Sequence, residues 1–153
     1  MDSHRQDESD NAGARVLIVE DHPMIAELIE TRLRIEGMRP TKSLGGREAI
    51  QILGHSDFDL VILDIMMPEV DGYQVFQVLK AQERTASIPV IFLTAKSTQD
   101  DIEKGLTLGA DYYITKPFSG SDLVRKVKIL LEQNRLSHAN TPSLSAATTG
   151  ISS

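Results

Sequence analysis

The chain contains no cysteine. A disulfide framework and a thiolate metal site are both excluded by that absence, which also fits a reducing compartment. No apolar run approaches the length of a membrane span, so no membrane contact is expected. The leading segment, MDSHRQDESDNAGA, is polar and acidic, the opposite of a signal peptide, and a cytoplasmic protein is the expectation. A basic stripe is lacking too. The formal net charge is −6, and residues 1–14 hold −3 of it, with Asp2, Asp7, Glu8 and Asp10 standing against Arg5. Electrostatics therefore argue against direct nucleic-acid binding. No internal repeat is visible.

What the chain does have is enough apolar matter for a core. Its 153 residues are 41% hydrophobic, which suits one ordinary domain and not two. Residues 1–13 have almost no apolar content and read as a disordered acidic arm. From Asn134 on, serine, threonine and alanine dominate, with Pro142 and Gly150 as breakers. Residues 134–153 are thus expected to be a flexible tail or linker, and the fold to occupy 14–133.

Inside that window β-type runs alternate with helical patterns. Strands are predicted at 15–20 (RVLIVE), 38–43, 59–64 (DLVILD), 88–93 (IPVIFL) and 111–115 (DYYIT). The run at 38–43 is weak, and that at 59–64 is the clearest. Helical spacing follows each one. Met24, Ile25, Leu28, Ile29 and Leu33 make the first face, after Pro23 and before Gly37. Gly46, Ala49, Ile50 and Leu53 make the second, and Gly72, Val75, Phe76 and Leu79 the third. Residues 97–108 form a weakly amphipathic fourth, and Leu123, Val127, Leu130 and Leu131 a fifth, with Ser119 a candidate cap. Five strand-then-helix repeats imply right-handed crossovers and a parallel sheet covered on both faces.

Polar residues end four of the strand runs: Glu20 and Asp21, Asp64, Thr94, and Lys116. Sites in open α/β sheets gather at the carboxyl ends of the strands, so these five residues should share one cleft. Three carboxylates beside a hydroxyl and an amine suit a hard cation next to an anion. Aspartate is also a competent nucleophile toward phosphorus. Each residue has a plainer reading as well. Asp64 could cap a turn, although Pro68 and Asp71-Gly72 favour a tight loop that holds backbone near its carboxylate. Asp21 could be a helix N-cap ahead of His22-Pro23. Thr94 could satisfy a local backbone group, and an isolated Lys116 is ordinarily just solvated, although Lys-Pro after a buried strand fixes a turn.

In this order the motifs resemble the receiver domain of two-component response regulators. The matching residues are Glu20-Asp21, Asp64 with MMPEVDG, Thr94-Ala95, and Tyr113-Ile114-Thr115-Lys116-Pro117-Phe118, spread over residues 14–133. The resemblance implies an α/β, flavodoxin-like (βα)5 three-layer sandwich with sheet order 2-1-3-4-5. It implies that Asp64 accepts a phosphoryl group from a histidine kinase or histidine phosphotransfer protein. Mg²⁺ would be held by Glu20, Asp21, Asp64 and the backbone carbonyl of Met66. Thr94 and Lys116 would bind the phosphoryl oxygens, and Thr94 and Tyr113 would form the switch pair. For Tyr113 the plainer reading is a half-buried strand tyrosine. An output protein is expected on the 97–133 face of a monomer or a weak, phosphorylation-dependent dimer. Such a protein is a phosphoacceptor switch, with only self-directed phosphotransfer and autodephosphorylation.

Two residues near the site depart from a polar pattern: Met66, two after Asp64, is apolar, and Lys96, two after Thr94, is charged. No DNA-binding or enzymatic domain is recognisable after residue 133, so a stand-alone receiver is expected, with a receiver piece of a longer regulator as the alternative. A phosphohydrolase with an aspartyl nucleophile is a second alternative. It usually needs another acid two residues on, where this chain has Met66. A receiver-like module that binds partners without being phosphorylated is the third.

Overall fold

Buried strand residues sort by parity. Val16, Ile18, Leu60, Ile62, Ile91, Leu93 and Ile114 belong to one apolar cluster, and Leu17, Val19, Val61, Leu63, Val90 and Phe92 to another. Successive side chains of a pleated strand point to opposite faces, so a sheet packed on both sides needs apolar residues at every position. That is why the strongest runs show no polar alternation.

The computed structural model describes residues 12–152, with side chains through Ser137. Its strands are β1 (Arg15–Val19), β2 (Arg39–Ser43), β3 (Leu60–Leu63), β4 (Val90–Thr94) and β5 (Tyr112–Thr115). All pair in parallel, in the order β2-β1-β3-β4-β5, as expected. The helices are α1 (Pro23–Ile35), α2 (Gly46–Leu53), α3 (Gly72–Ala81), α4 (Glu83–Ala86), α5 (Gln99–Leu108) and α6 (Gly120–Ser152). α1 and α6 cover the first face with Ile29, Leu33, Leu123, Val127 and Leu130. α2 and α3 cover the second with Ala49, Leu53, Val75, Phe76 and Leu79. α5 is held far more lightly, and Gly105 is its one buried residue.

Local chemistry accounts for the boundaries. Asp71 and Gln74 form a reciprocal capping box on α3, and Thr98 and Asp101 form one on α5. The hydroxyl of Ser119 accepts the Asp122 amide at 3.2 Å, the cap expected at the start of α6. β2 pairs only with β1, and this edge position explains its weak signal and its tolerance of Pro40. The short α4 was not foreseen; one turn is too brief to show a periodicity.

The end of α6 departs from expectation. Its backbone is helical to Ser152, where composition placed a flexible tail from 134. The packed segment around Leu123–Leu131 supplies the costly nucleus from which the helix propagates, past Pro142 and Gly150 and against their helix-breaking preference. The acidic arm falls outside the described residues except for Ala12 and Gly13, which form a turn. The Gly13 amide donates there to the Gly37 carbonyl at 2.8 Å.

Phe92 centres the second cluster. It is fully buried, and its ring meets Phe76 edge-on at 5.2 Å and Tyr73 and Tyr113 at 6.1 Å each. Phe92→Ala should cost about 3–5 kcal/mol of stability, measured as a lowered urea midpoint at unchanged slope.

Candidate functional site

The sheet register assembles the site. Val19 pairs with Leu63, so the residues that follow, Glu20 and Asp64, emerge side by side. Thr94 pairs with Thr115, and the Lys116 amide donates to the Thr94 carbonyl at 2.9 Å, which brings Lys116 to the same edge. Carboxylate oxygens of Glu20, Asp21 and Asp64 lie within 4.8 Å of one another. Glu20 and Asp64 are buried, and Asp21 is half-buried.

Asp64 is held at both oxygens. Its Oδ1 accepts the Met66 amide at 3.0 Å, and its Oδ2 accepts Lys116 Nζ at 2.9 Å. Glu20 Oε2 accepts the His22 amide at 3.0 Å. Lys116 Nζ also stands 2.7 Å from Glu20 Oε1, a close charge contact to a buried oxygen that otherwise has no hydrogen-bond partner. Burial pushes the Glu20 carboxyl above its ordinary 4.5, and the Asp64 charge adds to this. The Lys116 and His22 contacts oppose the shift without cancelling it. Burial would lower Lys116, but the two carboxylates outweigh it and hold the ammonium above its ordinary 10.5. The plainer reading of Asp21 does not hold: the N-cap of α1 is His22, and no side chain caps that end.

A tight loop follows Asp64, as the Pro68 and Asp71-Gly72 pattern suggested. The Gly72 amide donates to the Ile65 carbonyl at 2.9 Å. A Cβ on Gly72 would lie 2.3 Å from the Asp64 carbonyl oxygen and 2.6 Å from Ile65 Cα, so only glycine lets α3 start this close to the Asp64 backbone. Glu69 takes a left-handed φ of 66° in the same loop, uncommon outside glycine and asparagine. Met66 gives Asp64 its amide while its side chain stands 52% exposed.

Thr94 is buried at the end of β4, and its Oγ1 accepts the Lys96 amide at 3.4 Å. Tyr113 joins that loop and not the carboxylates: its hydroxyl donates to the Lys96 carbonyl at 2.7 Å. Burial pushes its phenol up to about 12. The Lys116–Pro117 peptide bond is cis. Sequence reading thus found every side chain of the carboxylate cluster. It missed the partners that a backbone supplies, namely the His22 and Met66 amides and the Lys96 carbonyl, and it missed Gly105 beneath Tyr113. Residue types carry no signal for such contacts.

The donor set fits a hard cation. Three carboxylate oxygens converge, one buried carboxylate oxygen has no hydrogen-bond partner besides its lysine charge contact, and a single lysine opposes them.

Comparison with known proteins agrees. The model of the response regulator receiver domain matches residues 16–128. The chain belongs to that family. It is 42% identical over 123 residues to the response regulator SaeR of Staphylococcus aureus, covering 80% of this chain and 53% of SaeR. It therefore spans about half the length of that relative. The receiver domain of a Francisella response regulator superposes with a TM-score of 0.75 at 33% identity, covering 79% of this chain and 98% of that one. The receiver of a Pseudomonas aeruginosa sensor histidine kinase, solved with magnesium coordinated in its active-site cleft, gives 0.72 at 34% identity, with 79% and 99% covered. As a receiver domain the chain is a phosphorylation switch of two-component signalling, a phosphoacceptor and not a catalytic enzyme. That assignment removes the phosphohydrolase reading.

Glu20 yields a test of this electrostatic arrangement. Its carboxyl is raised in the fold, so its contribution to stability is whole below 4.5 and is lost as pH rises through the folded value. In metal-free protein, wild type should therefore gain on Glu20→Gln, by a few degrees of Tm, as pH falls from 7.5 toward 4.5. Adding Mg²⁺ at pH 7.5 should raise wild-type Tm more than that of the variant. Parallel pH profiles, or equal Mg²⁺ responses, would contradict it.

Proposed function

We propose that Asp64 accepts a phosphoryl group from a phosphohistidine of a histidine kinase or histidine phosphotransfer protein, in a reaction that requires Mg²⁺. The observation that carries this reading is the convergence of Glu20, Asp21, Asp64 and Lys116 at the ends of β1, β3 and β5. An Asp64 carboxylate oxygen attacks phosphorus, an O–P bond forms, and the P–N bond breaks. The bond pair leaves with the imidazole nitrogen, which is reprotonated. Mg²⁺, when bound by Glu20, Asp21, Asp64 and the Met66 carbonyl, neutralises charge on the transferring group. The magnesium in the Pseudomonas relative's cleft supports this assignment.

Lys116 already donates to Asp64 Oδ2, so it needs little movement to donate to a phosphoryl oxygen. The Thr94 hydroxyl supplies a second donor, and Tyr113 follows the loop that carries Lys96. The new group brings about −1.5 to −2 charges and three acceptor oxygens to this loop. Hydrolysis resets the switch: water attacks phosphorus, the O–P bond breaks, and phosphate leaves with the Asp64 carboxylate restored.

The donor's approach is supported by an apolar rim. Met24 and Leu28 on the first turns of α1 are 76% and 53% exposed, and Met66 stands exposed beside Asp64. The output partner takes the 97–133 face, where Leu106 and Leu108 of α5 are exposed. The reaction takes place in the cytoplasm, with the receiver a monomer or a weak, phosphorylation-dependent dimer. A stand-alone receiver delivers output to a separate protein there. The coverage of only 53% of SaeR favours a second reading, a receiver region of a longer regulator.

Acetyl phosphate with Mg²⁺ should add one phosphoryl group by intact mass. The adduct should be absent in Asp64→Ala, and its formation strongly slowed in Asp21→Asn or in chelator. An adduct of equal yield in Asp64→Ala sinks the assignment. Lifetime gives a separate test. The exposed thioether of Met66 offers attacking water no strong hydrogen-bonding partner, so Met66→Asn should shorten the phosphorylated lifetime several-fold. Unchanged decay of the isolated phosphoprotein would discard the role given to Met66.

A further inference from the structure

We propose that Gly105 is a positioning residue for the switch: its missing side chain is the seat on which the Tyr113 ring rests. The inference rests on the switch reading above and adds a residue to it. Gly105 lies inside α5 without a left-handed φ, so nothing in the backbone demands glycine there. Alanine would favour the helix. What glycine admits is a ring. A Cβ at 105 would lie 2.6 Å from Tyr113 Cδ2, 2.7 Å from Cε2 and 3.0 Å from Phe92 Cδ2.

The consequence reaches the site in two steps. From its seat, Tyr113 donates its hydroxyl to the Lys96 carbonyl at 2.7 Å. The amide of the same Lys96 donates to Thr94 Oγ1 at 3.4 Å. The phenol is protonated in the neutral range, and burial pushes it further up, so the hydroxyl is available as a donor. Gly105, Tyr113, Lys96 and Thr94 therefore form one connected series from α5 to the residue that meets the phosphoryl group. α5 has a second anchor in Lys104, whose Nζ sits 4.2 Å over the Tyr73 ring. When the seat is filled, the half-buried Tyr113 ring is the part that yields, since Phe92 behind it is fully buried.

The experiment is a double-mutant cycle in 3-fluorotyrosine-labelled protein, which has three tyrosines to resolve. The Tyr113 resonance is assigned by its loss in Tyr113→Phe. In Gly105→Ala that resonance should leave its buried position before any phosphodonor is added. Phosphorylation by acetyl phosphate and Mg²⁺ should slow about fivefold, the usual scale of such couplings. In a Tyr113→Ala background, Gly105→Ala should leave the rate unchanged and should lower Tm less than it does with Tyr113 present, because the ring that meets the Cβ most closely is gone. An unmoved Tyr113 resonance overturns the proposal, as does equal slowing in both backgrounds. Should wild type take up no phosphoryl group at Asp64, the functional reading fails, while resonance and Tm still decide whether Gly105 seats the ring.

Discussion

Glu20, Asp21 and Asp64 bring three negative charges within 4.8 Å of one another, two of them buried, and the rest of the structure is arranged around that cost. Buried like charges repel strongly, and desolvation disfavours each ionised form. Lys116 offsets the cluster from β5, which commits the last strand to the same edge as β1 and β3. The Met66 and His22 amides take up one oxygen each. The site thus sets three carboxylates against one ammonium, and a divalent cation or a rearranged lysine changes the balance there.

A site of this kind needs a rigid frame on one side and a yielding one on the other. β1 and β3 are fully paired in the middle of the sheet, and their helices bury large apolar faces. The Gly72 contact locks the loop after Asp64 so tightly that a Cβ has no room. The other wall is the loop after β4 together with α5. There the holding contacts are a tyrosine hydroxyl on a carbonyl, a lysine over a ring, and a helix that buries one glycine. These are contacts that a phosphoryl group can outbid, since they are few and partly exposed.

Much of this was legible before any coordinates. The alternation of strand and helix patterns fixed a parallel sheet, because burial on both faces leaves no polar alternation in runs such as VIL at 61–63. Strand ends then placed Glu20, Asp21, Asp64, Thr94 and Lys116 at one edge. Other features were not legible, for separate reasons. β2 lies at the edge and needs little β propensity. α4 is barely one turn, too short to show a period. The helical extent of α6 depends on a nucleus packed elsewhere in the helix, which local composition does not carry. Gly105 carried no signal in the sequence, since the ring that occupies its place comes from a strand eight residues on.

Coupling across the yielding wall follows from what the frame refuses to do. Phe92 packs against Phe76, Tyr73 and Tyr113 together, so the aromatic cluster ties α3, β4 and β5 into one body. Close-packed interiors do not deform continuously. A pull on Thr94 therefore cannot be absorbed by compressing β4 against Phe92. It passes instead to the segment with room to move, the loop through Lys96 and the start of α5. Tyr113 contacts both bodies, with its ring on Phe92 and its hydroxyl on Lys96. Tyr113 thereby links the loop to the aromatic cluster, and a switch that acts at Asp64, as proposed above, would have to select between packings of this link.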